Sequence, residues 1–284
     1  MPTSTNRWVV GVAFYSDAMD PEELAAAGLR YDVSGVVATV TLTRPEVRNA
    51  QTPTMWRALA DIGDQVPDEV RVVVVRGEGQ SFSAGLDRAM LDPAKAADAP
   101  ESVVGLLTGS DEEISETVDR FQQGFTWLRD PRFVSIAVVQ GHAIGAGFQL
   151  ALSCDLRLVA DDAQFAMKEP ALGLVPDLTG TKPLVEIVGY PRALEICATS
   201  RMVGAAEALE IGLAVVVCPV PELDATLADL VSALTVPMAG AVRETKALLL
   251  GASGRTLEAQ RRCEREAQIR RFRELAALMA GAES

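Results

Sequence analysis

The sequence contains a single histidine, His142, and four cysteines that show no CxxC spacing. One histidine argues strongly against a His-based catalytic triad and against a His-rich metal site. The scattered cysteines argue against a zinc site and against a disulfide framework. We therefore expect no metal, and a reduced, cytoplasmic protein fits this composition best.

Positive charge is also scarce, because 26 Lys and Arg stand against 39 Asp and Glu and give a net charge of −13. This balance disfavours binding to nucleic acid or to an anionic membrane surface. Long apolar runs are missing as well: residues 8–14 are too short to span a membrane, and they lack the flanks of a signal peptide. We expect neither nucleic acid nor membrane as a partner, whereas a polyanionic small ligand is compatible with a few converging basic residues.

Apolar residues make up 49% of the 284 residues, which is enough for a sizeable core. Strand-like and helix-like patterns alternate along the chain. Strands are predicted at residues 36–43, 70–75, 134–139, 155–160, 163–167 and 214–218. Helices are predicted at 20–28, after Thr52, at 114–129, after Gly147, and at 191–201, 204–213, 221–235, 238–250 and 255–280. The order predicts an α/β core at 29–220, an N-terminal extension at 1–28 and a helical C-terminal region at 221–284.

Two segments outside these patterns bear on function. Residues 92–113 are rich in Ala, Pro, Asp, Gly and Ser, and they predict a long loop. On the last helix, Ile269, Phe272 and Leu275 form an apolar stripe. Such a stripe packs against the body of the protein or forms a contact between subunits.

Two glycine-containing turns carry the chemistry. Gly145, Ala146 and Gly147 follow a strand and precede a helix, so their backbone amides lie at the positive end of a helix dipole. A second turn, FSAGLD at 82–87, also follows a strand, and Asp87 can cap the helical turn after it. Amides from two separate turns can hold the oxygen of a thioester enolate.

With these turns in place, the chain resembles the enoyl-CoA hydratase/isomerase (crotonase) superfamily over about residues 29–250. The resemblance rests on four segments in order: TLTRPEVRNA at 41–50, SFSAGLD at 81–87, GHAIGAGFQLALSCDLRLVADDAQFAMKEPALGLVPDLTGT at 141–181, and GAAEALEIGLAVVVCPVPEL at 204–223. It implies a spiral of ββα units with a helical trimerisation region. It also implies an acyl-CoA thioester substrate and oxyanion donors at the amides of Leu86 and Ala146.

The acidic residues indicate which reaction is catalysed. By resemblance, hydratases of the family hold a water between two glutamates, and the two positions are Gln149 and Glu169 here. Glutamine cannot take a proton, although it can hydrogen-bond to water or substrate. A double-bond isomerase needs only one acid, because the oxyanion hole holds the enolate, and Glu169 serves as that acid and base.

Asp177 stands at a position where the hydratases that this chain resembles usually have Gly. Its spacing from Glu169 is similar to the spacing of the acid pair in dienoyl-CoA isomerases. Two carboxylates at one acyl chain move a proton between distant carbons, and an apolar pocket raises the pKa of one of them. The alternative is that Asp177 caps the helix that begins near Thr179. Both interpretations stay open from the sequence.

The resemblance further places a CoA site near the loop of Arg44 and Arg48. It implies Arg48 as a phosphate partner, and backbone groups at Ala50, Ser83 and Ala84 as partners of the adenine and pantetheine. Solvent exposure is the alternative for Arg48. No cofactor is expected beyond the CoA part of the substrate, and the assembly is expected to be a homotrimer or a dimer of trimers.

Three functions compete. The favoured one is isomerisation of an enoyl- or dienoyl-CoA by Glu169, with Asp177 assisting. The second is hydration of an enoyl-CoA, with Gln149 orienting the water and Glu169 moving the proton. The third, motivated by the altered glutamate, is an acyl-CoA-binding protein without catalysis.

Three other residues in these motifs have roles that are expected to be less direct. His142 is expected to be structural and Cys154 to pack in the core. Lys168 is expected either to lower the pKa of Glu169 or to point to solvent.

Overall fold

The computed structural model describes residues 20–94 and 100–282 of the chain. Its strands are β1 (Leu29–Ser34), β2 (Val37–Leu42), β3 (Val72–Gly77), β4 (Val134–Val139), β5 (His142–Ile144), β6 (Leu156–Ala160), β7 (Gln164–Ala166), β8 (Val203–Gly204) and β9 (Val216–Cys218). Its α-helices are α1 (Pro21–Ala26), α2 (Pro53–Asp64), α3 (Val103–Leu106), α4 (Asp111–Thr126), α5 (Ala146–Ser153), α6 (Thr181–Val188), α7 (Tyr190–Thr199), α8 (Ala205–Glu210), α9 (Leu223–Thr235), α10 (Ala239–Ala252) and α11 (Leu257–Ala282). The α/β class predicted from the sequence is confirmed.

The strands form two sheets within the described residues. The larger has the order β1-β2-β3-β4-β6-β9, and only the β1–β2 pair is antiparallel. The smaller has the order β5-β7-β8. Parallel strands need helical crossovers that cover the sheet, which accounts for the mostly apolar sequences of β3 and β4. The strand predicted at 134–139 coincides with β4, and the one predicted at 70–75 begins two residues later.

Both faces of the larger sheet are covered by helices. One face carries the main core, to which α2, α4 and α5 contribute Met55, Phe125 and Phe148, all fully buried. The other face packs against α9 through Leu227 and Leu230. Helix α2 begins as the sequence predicts, because the Thr52 side chain accepts from the Met55 amide and proline occupies the first position.

The structure departs from the sequence predictions in two respects. Strands β1, β5 and β8 were not expected. The predicted loop at 92–113 contains α3, and α4 begins inside it at Asp111, where Ser110 and Glu113 form a capping box. Residues 95–99 of that loop and residues 1–19 of the predicted extension lie outside the described residues, as does the apolar run at 8–14.

A buried ion pair fastens α10 to the edge of the parallel strands. Lys246 Nζ lies 2.7 Å from Asp155 Oδ2, and it also donates to the backbone oxygens of Asp130 and Phe133. Asp155 Oδ2 accepts from the Ser135 amide as well. A buried charge is tolerated when it is paired and hydrogen-bonded in this way. The helical region after residue 221 is thereby tied to β4.

Helix α11 turns Ala267 and Arg271 toward the body, while Ile269, Phe272 and Leu275 are 49%, 63% and 37% exposed. The interpretation of these three residues as packing against the body is therefore wrong, and a subunit contact stays a prediction. Among the described residues no single helix is long and apolar enough to cross a membrane. Only the pair Val220–Thr235 and Ala239–Ala252, bent by 96°, meets that criterion jointly.

Candidate active site

Two turns meet beside the core. The turn after β3 contacts the segment after β4, because the Ser83 amide donates to His142 O at 2.8 Å and Ser83 O accepts from the Ile144 amide at 3.0 Å. Gly85 has φ +87°, and a Cβ there would lie 2.4 Å from Ile144 O and 3.5 Å from Ala146 N. Only glycine fits this approach. The two turns that the sequence predicted to act together are thus in direct contact.

The amides of Leu86 and Ala146 face away from the hydrogen bonds that hold these turns. Gln51 N donates to Gly85 O, and Asp87 N donates to Gln51 O, at 2.7 and 2.8 Å. The C=O and N–H of one trans peptide group point in opposite directions, so the Leu86 amide points away from Gln51. Ala146 is the first residue of α5, where an amide has no partner within the helix. Both residues line one cavity.

That cavity has a volume of about 570 Å³. Its wall is mostly apolar and includes Trp56 from α2 and Phe121 from α4. Among the described residues, the ionisable side chains in its wall are Arg88, Glu101, Lys168, Glu169 and Asp177. A larger opening of about 790 Å³, beside α10, is lined by Lys246 and Leu249 and includes neither turn. The smaller cavity is therefore the candidate active site, since pockets with convergent polar groups and acids are the usual reactive sites.

Glu169 begins a short 3-10 helix just after β7 and turns its carboxylate toward Gly145. A Cβ on Gly145 would lie 3.3 Å from Glu169 Oε1, so the carboxyl group packs directly beside the turn that precedes α5. Oε2 is buried and has no hydrogen-bond partner among the described residues. Burial raises the pKa of Glu169, and the charge of Asp177 adds to the rise, while the hydrogen bond from Gln149 opposes it.

Gln149 is fully buried in α5 and uses both ends of its amide. Its Oε1 accepts from the backbone amides of Leu178 and Gly180, at 2.8 and 3.2 Å. Because both partners are donors, Oε1 must face them and Nε2 must face Glu169, to which it donates at 2.7 Å. The side chain therefore connects one acid to the segment that carries the other.

Asp177 lies in the same cavity wall as Glu169, and burial raises its pKa. Its backbone oxygen accepts from Gln122 Nε2 at 2.7 Å. Helix α6 begins at Thr181, with Gly180 in the capping position and no capping hydrogen bond from a side chain. The interpretation of Asp177 as the cap of this helix is therefore wrong.

The residues expected at CoA are near the turns but differ in what they offer. Arg48 is exposed, whereas Arg44 pairs with Asp87 at 2.9 Å and donates to Ala50 O at 2.6 Å. The amides of Ala50 and Ser83 are already used within the protein, by Val47 O and His142 O. Ala84 lines the cavity, and its amide donates to Arg48 O. Of the residues expected at CoA, the Arg48 side chain and the Ala84 carbonyl are the groups that can bind a ligand.

The structure also bears on the roles expected for Cys154, His142 and Lys168 and on the expected absence of a metal. Cys154 is fully buried, and burial raises the pKa of its thiol to about 12, as fits a core residue. His142 lies in β5, and its Nδ1 is 3.4 Å from Ser81 Oγ, which fits a structural role. Lys168 donates to Ser200 O, and its effect on the pKa of Glu169 stays a prediction. Within residues 20–94 and 100–282 no group of three or more His, Cys, Asp or Glu side chains could hold a metal ion.

Sequence reasoning missed a buried polar cluster under the first turn. Trp56 Nε1 donates to Gln51 Oε1 at 2.8 Å, and Gln51 Nε2 donates to Ser83 Oγ at 3.1 Å. Gln51 and Ser83 are fully buried. The sequence offers one signal for it, a glutamine directly before the Thr52–Pro53 helix start, but that position is equally compatible with solvent exposure.

Comparisons with known proteins identify the family. The sequence model of the enoyl-CoA hydratase/isomerase family matches residues 32–278, so the chain belongs to that family. A solved structure of a candidate enoyl-CoA hydratase from Thermobifida fusca, in complex with acetoacetyl-CoA, is 51% identical with a TM-score of 0.86. That alignment covers 90% of this chain and 98% of the other. The crotonase-like fold inferred from the motifs is confirmed.

The named relatives include both hydratases and isomerases. A Bacillus subtilis (strain 168) protein named "Probable enoyl-CoA hydratase" is 30% identical over 183 residues, which is 64% of this chain. The alignment spans 65% of that relative's length. The peroxisomal Delta(3,5)-Delta(2,4)-dienoyl-CoA isomerase of Arabidopsis thaliana is 30% identical over 227 residues, 78% of this chain and 80% of the relative. Family membership is therefore established at the level of hydratase or isomerase.

Proposed function

We propose that this protein is an acyl-CoA isomerase that moves a carbon–carbon double bond in an enoyl- or dienoyl-CoA. The hydrogen bond from Gln149 Nε2 to Glu169 Oε1, at 2.7 Å, carries the proposal. At that distance no water fits between the two groups, and an amide cannot accept a proton at neutral pH. The pair formed by residues 149 and 169 thus has one titrating acid, Glu169, where a water-adding carboxylate pair would need two.

The thioester oxygen binds the amides of Leu86 and Ala146. Both line the cavity, they come from turns in direct contact, and the Ala146 amide lies at the N-terminal end of α5. Negative charge that develops on the thioester oxygen is stabilised by fixed donors of this kind. The enolate is therefore accessible without a metal or an added cofactor.

Glu169 takes a proton from C2 of a 3-enoyl thioester. The C–H electrons form a C1–C2 double bond, and the carbonyl electrons move onto the oxygen held by the two amides. When a proton returns at C4, the C3–C4 π electrons form the new C–H bond, the C1–C2 electrons become the C2–C3 double bond, and the oxygen electrons restore the carbonyl, with no net gain or loss of protons. The raised pKa of Glu169 suits a group that must both accept and return a proton near neutral pH.

Asp177 supplies a second proton-transfer group for longer conjugated substrates. It shares the cavity wall with Glu169, and burial raises its pKa. In a dienoyl-CoA, one acid removes a proton near the thioester and the other delivers one farther along the chain. After a turnover the first carboxyl holds the proton that it removed and the second lacks the one that it delivered, so proton exchange with solvent resets the pair.

An acyl-CoA as substrate is supported by the Thermobifida fusca relative, whose structure holds acetoacetyl-CoA. We place the CoA phosphates near Arg48 and the pantetheine at Ala84, with Ala50 and Ser83 shaping the backbone that it follows. A cytoplasmic location, which rests on the scattered cysteines, and a homotrimer or dimer of trimers, which rests on the family resemblance, belong to the same proposal.

Hydration of an enoyl-CoA is the second candidate. The buried Glu169 Oε2 has no partner among the described residues, so it offers an acceptor for a water on the side away from Gln149. In this case Glu169 alone would activate the water.

The test is product analysis of the purified protein with a 3-enoyl-CoA, a 3,5-dienoyl-CoA and a 2-enoyl-CoA. We expect double-bond migration in the first two, and little 3-hydroxyacyl-CoA from the third. Fast formation of 3-hydroxyacyl-CoA would overturn the isomerase proposal in favour of hydration. Binding of all three without turnover would favour an acyl-CoA-binding protein.

A further inference from the structure

We propose that Gln51 is a positioning residue for the oxyanion site, acting through the backbone on either side of Leu86. This inference rests on the proposed function, because it takes the Leu86 amide as a donor to the thioester oxygen. Gln51 has no exposed surface and does not line the cavity. Its effect on the reaction therefore passes through the residues that it contacts.

The backbone of Gln51 brackets Leu86. Its amide donates to Gly85 O at 2.7 Å, and its oxygen accepts from the Asp87 amide at 2.8 Å. These two bonds fix both peptide groups that flank Leu86, and hence the direction in which the Leu86 amide points. A shift of residue 51 would turn that amide relative to Ala146.

The side chain of Gln51 holds this backbone in place. The indole of Trp56 can only donate, so Gln51 Oε1 must accept from Nε1 and Gln51 Nε2 must face Ser83 Oγ. Ser83 Oγ then donates to Asn49 O at 2.8 Å and accepts from the Gly85 amide at 3.2 Å. The direction of every bond from Trp56 to the Gly85 amide is thus determined by the first donor.

This cluster ties both sides of the oxyanion turn to helix α2. One end is the buried indole of Trp56, and the other is the Gly85 amide, one residue before Leu86. Because the cluster lies in the interior, water cannot replace a lost partner, and the turn would relax to satisfy the freed groups. A relaxation of the turn changes where the donor lies, which matters more for a developing charge than for binding of the ground state.

The principal variant is Gln51→Met, which keeps the length of the side chain and removes both of its hydrogen bonds. We expect kcat to fall about tenfold to 100-fold, the scale of a misplaced catalytic group, with KM within about twofold. The acid side of the pH profile should not move, because Glu169 is untouched. Trp56→Phe should lower kcat in the same direction, and the double variant should lose no more than Gln51→Met alone, because both remove the same bond.

Trp127→Phe is the matched control. The Trp127 indole also donates to a buried acceptor, Gly124 O at 3.1 Å, but it lies outside the cavity wall. We expect Trp127→Phe to lower the melting temperature about as much as Trp56→Phe while kcat is unchanged. An unchanged kcat in Gln51→Met together with a lower melting temperature would show that the cluster is merely structural and would overturn the inference.

A second measurement separates this inference from the proposed function. Acetoacetyl-CoA forms an enolate with near-ultraviolet absorption, and an oxyanion site favours that form without any turnover. We expect the unmodified protein and Trp127→Phe to increase the absorption of the bound probe, and Gln51→Met to increase it less. Equal increases in all three would overturn the role of Gln51. An increase in the unmodified protein without double-bond migration would instead overturn only the isomerase proposal, and no increase in any protein would overturn both.

Discussion

Gln149 Nε2 lies 2.7 Å from Glu169 Oε1, and the opposite end of the same amide accepts from the backbone of Leu178 and Gly180. One neutral side chain thus holds an acid whose pKa is raised by burial, and also holds the backbone next to Asp177. The arrangement keeps Glu169 in place without sharing its proton. The predictions that follow test what each partner in this arrangement does.

Replacement of the proton-transfer group should abolish turnover while the site stays intact. In Glu169→Gln the new amide oxygen can still accept from Gln149, but no proton can be exchanged. We expect double-bond migration to fall about 100-fold to 10,000-fold, measured by steady-state kinetics with a 3-enoyl-CoA. Glu186→Gln, at a carboxylate paired with Lys182 outside the cavity, serves as the control and should retain full activity. Full activity in Glu169→Gln would contradict the assignment.

The pH dependence should report the influence of Asp177 on Glu169. Burial is the main cause of the raised pKa of Glu169, and the negative charge of Asp177 raises it further. Asp177→Asn removes that charge, so the pKa of Glu169 should fall and the acid side of the kcat/KM profile should move to lower pH. An acid side that stays in place would mean that the two carboxyls do not sense each other.

A second carboxylate at position 149 should change the reaction. In Gln149→Glu, one carboxyl oxygen can still accept from the Leu178 and Gly180 amides, but the other would face Glu169 without a hydrogen. Two adjacent carboxylates share a proton, so the acid side of the profile should move to higher pH. We expect isomerisation at neutral pH to fall and hydration of a 2-enoyl-CoA to rise, followed by product analysis. No gain in hydration would show that Gln149 is not what separates the two reactions.

The buried acid should destabilise the protein at neutral pH. The pKa of Glu169 in the folded state lies above its ordinary value of 4.5, so the folded state binds that proton more tightly than the unfolded state does. The free energy of unfolding therefore falls as pH rises through the interval between the two values, and it stays lower above it. Glu169→Gln lacks this loss, so it should be the more stable protein at neutral pH, with the gain vanishing toward about pH 4.

Urea unfolding at both pH values checks this prediction, and Glu195→Gln provides a control of opposite sign. The hydrogen bond from Arg201 lowers the pKa of Glu195, so its removal should reduce stability at neutral pH. A Glu169→Gln variant that is no more stable than the unmodified protein at neutral pH would refute the raised pKa.

Loss of the α5 amide should slow the reaction. Ala146→Pro removes the amide hydrogen at the first helical position, where proline is otherwise well tolerated. We expect kcat to fall about 100-fold, the scale for removal of one oxyanion donor. Ala239→Pro makes the same change at the start of α10, away from the cavity, and should keep its activity. Circular dichroism should confirm that both variants are folded.

Local patterns in the sequence predicted most of the fold. Thr52 and Pro53 begin α2 as expected, and the apolar run at 134–139 coincides with β4, because a cap and a strand buried on both faces leave direct marks on the sequence. Strand β1 leaves no such mark, since most of its residues are exposed and only pairing with β2 defines it. The short β5 likewise exists only through its pairing with β7.

The sequence by itself determined the family, the two turns and the identities of Gln149, Glu169 and Asp177, because each lies in a contiguous motif. Only the tertiary structure decided that Gln149 donates directly to Glu169, that Asp177 is not a helix cap, and that Gln51 lies buried under the oxyanion turn. The physical reason is that the direction of a hydrogen bond and the cost of burying a charge depend on groups that are far apart in the chain, whereas motifs record only neighbours along it.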